Sequence, residues 1–329
     1  MAKKETESED NKDVIANDKL LLEDLPGVGE ATLEKLRSAG ISTPRALAVY
    51  PIAKLMEDTG IGEKTAKKLV KSAQDTERIG FKSAEAIWEK RKDLKKLTTG
   101  SQGLDDILAG GIETGALTEL YGEYRTGKTQ ICHQLCVNVQ LPYDQGGLEG
   151  TALYIDTEAT FRPERIIQMA EARDLDYNKI LQNTIVGRAY NSDHQILLVK
   201  EAPKIIEEKN IKLIIVDSII GHFRSEYIGR GTLANRQQLL NGHIHDILRL
   251  TEIYDELAAV YTNQVSSKPD VFYGNPTTHT GGHIMGHGAT VRIYLRKGKG
   301  EQRVAKIVDA PHLPESDAVF EITEEGIKD

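Results

Sequence analysis

Eight consecutive residues, Gly122-Glu123-Tyr124-Arg125-Thr126-Gly127-Lys128-Thr129, fit the pattern G-x-x-x-x-G-K-[ST]. Glycines at both ends of the loop let backbone N–H groups close around phosphate oxygens. Lys128 is placed to reach the β- and γ-phosphates of a nucleoside triphosphate, and the Thr129 hydroxyl to bind magnesium. With Gln130, which opens the apolar run that follows, these residues form the expected nucleotide-binding set.

Three other segments end in side chains suited to the same chemistry. Leu213-Ile214-Ile215-Val216-Asp217 is an apolar run closed by a carboxylate, as a buried parallel strand holding a magnesium shell through water requires. Thr151-Ala152-Leu153-Tyr154-Ile155-Asp156-Thr157-Glu158 puts Glu158 just past a strand tip, where a carboxylate can orient or deprotonate an attacking water. The alternative for Glu158 is an acid near the N-terminus of the helix beginning at Pro163. Ala258-Ala259-Val260-Tyr261-Thr262-Asn263-Gln264 ends in amides. Gln264 is expected to bond the γ-phosphate and report its loss, or else simply to cap a loop.

These groups need a scaffold that brings strand tips together. Strand candidates fall at 115–122, 151–156, 182–187, 211–217, 258–265, 289–296, 302–309 and 318–323. Helices are expected near 103–109, 127–141, 163–173, 193–209 and 233–256. The alternation predicts an α/β domain with a mainly parallel sheet and nucleotide at the carboxyl ends of its central strands. The last three strands lack helices between them and should form an antiparallel edge.

The whole chain has 329 residues, 39% of them hydrophobic, which suits one large domain with a small companion. A net charge of −8 excludes a uniformly basic nucleic-acid coat, so any such contact must use local patches. The only cysteines, Cys132 and Cys136, stand four apart and read as packing residues in a reduced, intracellular setting. The N-terminus is charged, and no apolar run approaches the ~20 residues that span a bilayer. A soluble, cytoplasmic protein is expected.

Residues 1–19 are too polar to order themselves and read as a flexible tail. Residues 20–76 read as a small helical domain with a weak internal repeat. Leu25-Pro26-Gly27-Val28-Gly29 and Thr59-Gly60-Ile61-Gly62 each precede an amphipathic helix, and Thr43 followed by Pro44 predicts a helix start between them. Both Gly-apolar-Gly turns resemble helix–hairpin–helix motifs, in which Gly60, Gly62 and Lys64 would approach a DNA phosphate. The alternative is a helical domain whose glycines make tight turns and whose lysines form a solvated face. Residues 77–97 link this unit to the α/β core at 98–329, and Phe81 by itself would be a packing residue.

Two loops leave the strand tips. The first, Gly221-His222-Phe223-Arg224-Ser225-Glu226-Tyr227-Ile228-Gly229-Arg230-Gly231, interleaves arginines with aromatics and glycines, as a surface tracking single-stranded nucleic acid does. The second runs from Ser266 to Ala289 and is long enough to be functional. His279, His283 and His287 stand four apart there, but the glycines among them argue against a helix and no cysteine or close carboxylate completes a metal set.

With these residues assembled, the chain resembles the RecA/Rad recombinase family, specifically its archaeal RadA type, over about residues 20–329. The resemblance rests on the phosphate loop, on Tyr154-Ile155-Asp156-Thr157-Glu158 with Thr160-Phe161-Arg162-Pro163-Glu164-Arg165, and on the 213–218 strand. Thr262-Asn263-Gln264-Val265 and Asp309-Ala310-Pro311-His312-Leu313-Pro314-Glu315 complete it. It implies a RecA-like core with a helix–hairpin–helix domain, and an ATP- and magnesium-dependent strand-exchange ATPase acting in recombination and repair. It implies that Lys128, Glu158 and Gln264 are catalytic and that Arg165 packs on adenine. Asp309 and Pro311 would cap a neighbour's ATP, and Phe81 and Ala84 would plug into a neighbouring core to build filaments or rings. Arg224, Tyr227, Arg230 and His287 would contact single-stranded DNA, and the N-terminal unit duplex DNA. Mediator proteins are possible partners. Ala159, where relatives often carry Gly or Asn, is one mild departure. Rival readings are an accessory paralogue, a small-molecule phosphotransferase, and an adaptor with a vestigial nucleotide site.

Overall fold

Apolar runs and helix-capping residues set the elements of this chain. The computed structural model describes residues 20–267, 277–279 and 288–329, and for residues 230, 266, 267 and 277–279 the backbone only. The expected tail at 1–19, His283, His287 and most of the second loop lie outside the described residues. The chain divides into two units at Gly80.

The first unit holds α1 (Glu30–Ser38), α2 (Pro44–Ala48), α3 (Ile52–Thr59) and α4 (Glu63–Thr76). The start of α2 follows the sequence prediction: the Thr43 hydroxyl accepts from the Ala46 N–H at 3.1 Å, and Pro44 supplies a fixed φ. On α4, Ala66, Leu69, Val70 and Ala73 recur at helical spacing and are buried. The two turns share one backbone device. Gly27 and Gly60 take φ of +96° and +65°, while Gly29 and Gly62 open α1 and α4 as N-caps.

The second unit begins with α5 (Ala84–Lys92), β1 (Lys96–Leu97), α6 (Gln102–Ile107) and β2 (Ile112–Glu113). Its repeating part runs β3 (Leu117–Gly122), α7 (Lys128–Asn138), β4 (Thr151–Asp156), α8 (Pro163–Glu171), α9 (Tyr177–Gln182), β5 (Thr184–Arg188) and α10 (Ser192–Glu201). There follow α11 (Pro203–Ile206), β6 (Ile211–Asp217), α12 (Gly221–Glu226), α13 (Leu233–Ile253), β7 (Ala258–Ser267) and β8 (Thr277–His279). The described residues end with β9 (Val291–Lys297), β10 (Gln302–Asp309), β11 (Asp317–Thr323) and β12 (Gly326–Lys328). The main sheet has the order β12-β11-β10-β9-β3-β7-β6-β4-β5, and β8 pairs antiparallel with β7. From β9 to β5 all neighbours are parallel, and β10, β11 and β12 add antiparallel.

Strand periodicity divides the core into two layers. Leu213 and Ile215 of β6 face one apolar cluster with Ile131, Leu135 and Phe320. Ile214 and Val216 face the other with Phe223, Ile244 and Ile247. Helices cover both faces, which is why β6 runs apolar from Leu213 to Val216. Register then levels the strand tips: Gly122 stands beside Gln264, and Asp156 beside Asp217.

The antiparallel edge appears as expected, with β12 as an additional strand. The helix predicted over 193–209 is divided into α10 and α11, with Pro203 opening the second, because proline offers no N–H to continue the ladder. The expected linker contains α5, fastened to its own unit by Arg91 to Glu113 at 3.0 Å and Lys90 to Asp255 at 2.9 Å. The first loop contains the short helix α12. None of the described helices is long and apolar enough to cross a membrane.

Candidate active site

The phosphate loop is shaped by two glycines with different duties. A Cβ on Gly122 would run into the backbone carbonyl of Leu295 on the adjoining β9, so no side chain fits. Gly127 takes φ of +101° and turns the chain into α7. No side chain caps α7, so its first-turn N–H groups remain directed at the loop. Lys128 Nζ donates to the carbonyls of Gly122 at 2.9 Å and Glu123 at 2.7 Å. Burial depresses its pKa, and the carboxylates of Asp217 and Glu158 act against that loss. A half-buried ammonium beside open helix N–H groups fits a polyphosphate.

Asp217, 4% exposed, collects three hydroxyl donors. Thr129 donates to Oδ2 at 2.8 Å, Tyr154 to the same oxygen at 2.7 Å, and Thr262 to Oδ1. Burial next to this carboxylate raises the Tyr154 pKa well above its ordinary value, so the phenol remains a donor. Thr129 and Asp217 together present the hard oxygen ligands that magnesium prefers, directly or through water.

Glu158 sits on a turn organised by Asp156. The Asp156 carboxylate accepts from the N–H groups of Glu158 and Thr160, both at 3.1 Å, and of Phe161 at 3.4 Å. Between them Ala159 takes φ of +59°. That left-handed conformation is where Gly or Asn is easier than Ala, which gives the Ala159 departure its physical content. The Glu158 side chain is exposed. Its Oε1 accepts from the Ser218 hydroxyl at 2.5 Å and from Gln264 Nε2 at 3.0 Å. The Gln264 oxygen in turn accepts from Arg224 at 3.1 Å. Beneath it, Asn263 accepts the Gln264 N–H at 2.8 Å and donates to the buried Glu119, which pairs with Arg292 at 2.6 Å.

His133 ties this turn to the phosphate-loop helix. Its Nε2 accepts the Arg162 N–H at 3.0 Å, so its Nδ1 carries the proton and donates to the Thr129 carbonyl at 2.7 Å. Burial lowers its pKa and favours this neutral form. The ring stacks on Phe161 with centroids 5.1 Å apart.

A Rad51 family model matches residues 90–329, nearly three quarters of the chain. The chain belongs to the Rad51 family. A SAM-like helix-hairpin-helix tandem model matches residues 19–75. The DNA repair and recombination protein RadA of Aeropyrum pernix is 52% identical over 306 residues, covering 93% of this chain and 96% of that protein. The protein of the same name from Metallosphaera sedula is 53% identical over 309 residues, covering 94% and 95%. The α/β unit is thus the RecA-like core of a Rad51-family ATPase, and the N-terminal unit its helix–hairpin–helix domain.

The remaining sequence-predicted residues fall at several places in the Rad51-family chain. Arg165 is half-buried beside Gln130, to which it donates at 2.7 Å, and it also bonds the carbonyls of Thr323 and Glu324. Asp309 and Pro311 are exposed at and beyond the end of β10. Phe81 is fully exposed, and Ala84 at the start of α5 is exposed. Tyr227 is half-buried and stacks on Phe223 with centroids 6.4 Å apart. The Arg230 side chain and His287 lie outside the description. Gly60, Gly62 and Lys64 are exposed at the second hairpin. On the same helix Lys67 and Lys71 form i,i+4 ion pairs with Glu63 and Asp75, so a solvated face describes those two lysines well.

Sequence reasoning did not single out Asp156, His133, Ser218 or Thr262. Two of them carried a signal. An Asp two residues before Glu158 has the spacing of an Asx turn, and His133 stands four after Thr129 on a helix.

Proposed function

We propose that this chain is an ATP-dependent DNA recombinase. It assembles into helical filaments on single-stranded DNA and catalyses homologous pairing and strand exchange, in the service of recombination and repair of chromosomal DNA. The observation that carries the reading is the gathering of Lys128, Thr129, Glu158, Asp217 and Gln264 at the level ends of β3, β4, β6 and β7, in a Rad51-family chain.

Bound ATP with magnesium supplies the phosphoanhydride bond whose cleavage resets the filament. Lys128 and the first N–H groups of α7 bind the phosphates. Thr129 and Asp217 hold the magnesium shell, the latter through water. Glu158 accepts a proton from, or orients, the attacking water, and Gln264 senses the γ-phosphate. Arg165 borders the adenine side, and Asp309 and Pro311 of one copy close over the ATP of the next.

Phe81 and Ala84 join copies by entering an apolar recess on the neighbouring core. A fully exposed Phe on a short connecting segment supports this, since an unpaired large apolar side chain has no stabilising role within its own copy. Arg224, Tyr227, Arg230 and His287 track single-stranded DNA, with base pairing rather than side chains supplying sequence specificity. Gly60, Gly62 and Lys64 contact duplex phosphates.

The test is a D-loop assay with labelled single-stranded DNA, supercoiled homologous plasmid and magnesium, with and without ATP. Joint molecules that need ATP and vanish in Lys128→Ala are the expected result. DNA binding without joint molecules would indicate an accessory paralogue instead. Absence of DNA binding would return a small-molecule phosphotransferase to consideration.

A further inference from the structure

We propose that Arg224 is a latch on the ATPase site. In the DNA-free chain it holds Gln264 against Glu158, and a DNA phosphate that takes its guanidinium releases that grip. The inference rests on the reading above of an ATP-dependent DNA recombinase and takes its turnover to be stimulated by DNA, and it gives the first loop a positioning duty separate from DNA affinity.

Three hydrogen bonds form the latch. Arg224 Nη1 donates to Gln264 Oε1 at 3.1 Å, and Gln264 Nε2 donates to Glu158 Oε1 at 3.0 Å. The same Glu158 oxygen accepts the Ser218 hydroxyl at 2.5 Å. A carboxylate oxygen has two lone pairs, and here both are engaged. The positive charge on Arg224 polarises the amide and strengthens its N–H as a donor. Glu158 Oε1 is therefore closed to a water, and its carboxylate is held toward Ser218 and Gln264, while Arg224 stays in place.

The latch can open without remodelling the fold. Arg224 is exposed, so a phosphate can reach it. An anionic phosphate oxygen binds a guanidinium more strongly than a neutral amide oxygen does. Helix α12, which carries Arg224, is anchored from its other side. Glu226 accepts the Ser192 N–H at 2.9 Å and the Ser192 hydroxyl, and His222 Nε2 bonds the Ala189 carbonyl at 3.1 Å. Rotation of one side chain then frees the Gln264 amide to turn from Glu158 toward the phosphate side.

The experiment is steady-state ATP turnover by the full-length chain, with and without saturating oligothymidylate, for wild type, Arg224→Ala and Arg224→Lys. Arg224→Ala should raise the DNA-free rate about three- to tenfold, the net worth of one typical hydrogen bond, and flatten stimulation by DNA. Arg224→Lys keeps a cationic donor but loses the planar fork, so its DNA-free rate should lie between those of wild type and Arg224→Ala. General structural damage lowers turnover, so a gain separates the latch from it. A DNA-free rate in Arg224→Ala equal to or below wild type, with wild type still stimulated by DNA, overturns the latch alone. A wild-type chain whose turnover is indifferent to DNA overturns the parent reading and the latch with it.

Discussion

The Thr129 hydroxyl donates to Asp217 Oδ2 across 2.8 Å, although 88 residues separate them. The end of the phosphate loop and the tip of β6 therefore share one carboxylate, which Tyr154 and Thr262 also address. An amide at this position must turn an NH2 toward one of three hydroxyl donors. Asp217→Asn should cost about 2 kcal/mol of stability, read by chemical denaturation. It should also raise the magnesium concentration for half-maximal ATP turnover by about tenfold, read by titration. An unchanged magnesium requirement would remove Asp217 from the metal shell.

Asp156 makes no proposed contact with substrate but sets the turn that carries Glu158. Asp156→Ala frees three backbone N–H groups and lets the turn relax around Ala159. Turnover number should fall about a hundredfold, as misplacement of a catalytic group by an ångström does, while the ATP concentration for half-maximal rate moves little. A selective rise in that concentration would point to nucleotide binding as Asp156's role.

His243 is buried beneath α12, its Nε2 3.1 Å from Gln195 Nε2 and its ring 5.9 Å from that of Phe223. Burial pushes its pKa down to about 4, with the Asp246 carboxylate acting weakly the other way. The folded chain holds it neutral, while the unfolded chain protonates it near pH 6.5. Its contribution is therefore intact above about pH 6.5 and is lost as pH falls toward 4, amounting to roughly 3 kcal/mol over that window. Melting temperature against pH should be flatter over this range in His243→Leu than in wild type. Parallel curves would show that this residue does not titrate as its burial requires.

Phe81 offers a separation of assembly from folding, being fully exposed within its own copy. Phe81→Glu should leave the melting temperature of the dilute protein within about 1 °C, as surface substitutions do. The same change should reduce the assembled mass in light scattering, because a carboxylate enters an apolar recess only at a cost of several kcal/mol. Assembly of undiminished size would dismiss the plug.

Much of the site was legible in the chain because it is local chemistry. A phosphate loop needs its glycines, lysine and threonine within eight residues, and a buried parallel strand needs an unbroken apolar run, so Gly122–Thr129 and the 213–217 run identified themselves. Helix starts such as Thr43-Pro44 are likewise decided within one turn. The split at Pro203 and the short helices α9 and α12 were harder, since their periodic patterns are too brief to register.

The sequence alone thus determined which side chains would end the strands, and the family resemblance told what such ends do. Only the tertiary structure decided who meets whom. Arg224 and Gln264 are 40 residues apart, Ser218 and Glu158 are 60, and Arg162 and His133 are 29. Strand order and register bring these partners together, and both depend on how whole apolar faces pack, a property no short segment carries. That is why Glu158 and Gln264 were recognisable one by one, while the bonds that hold them against each other were not.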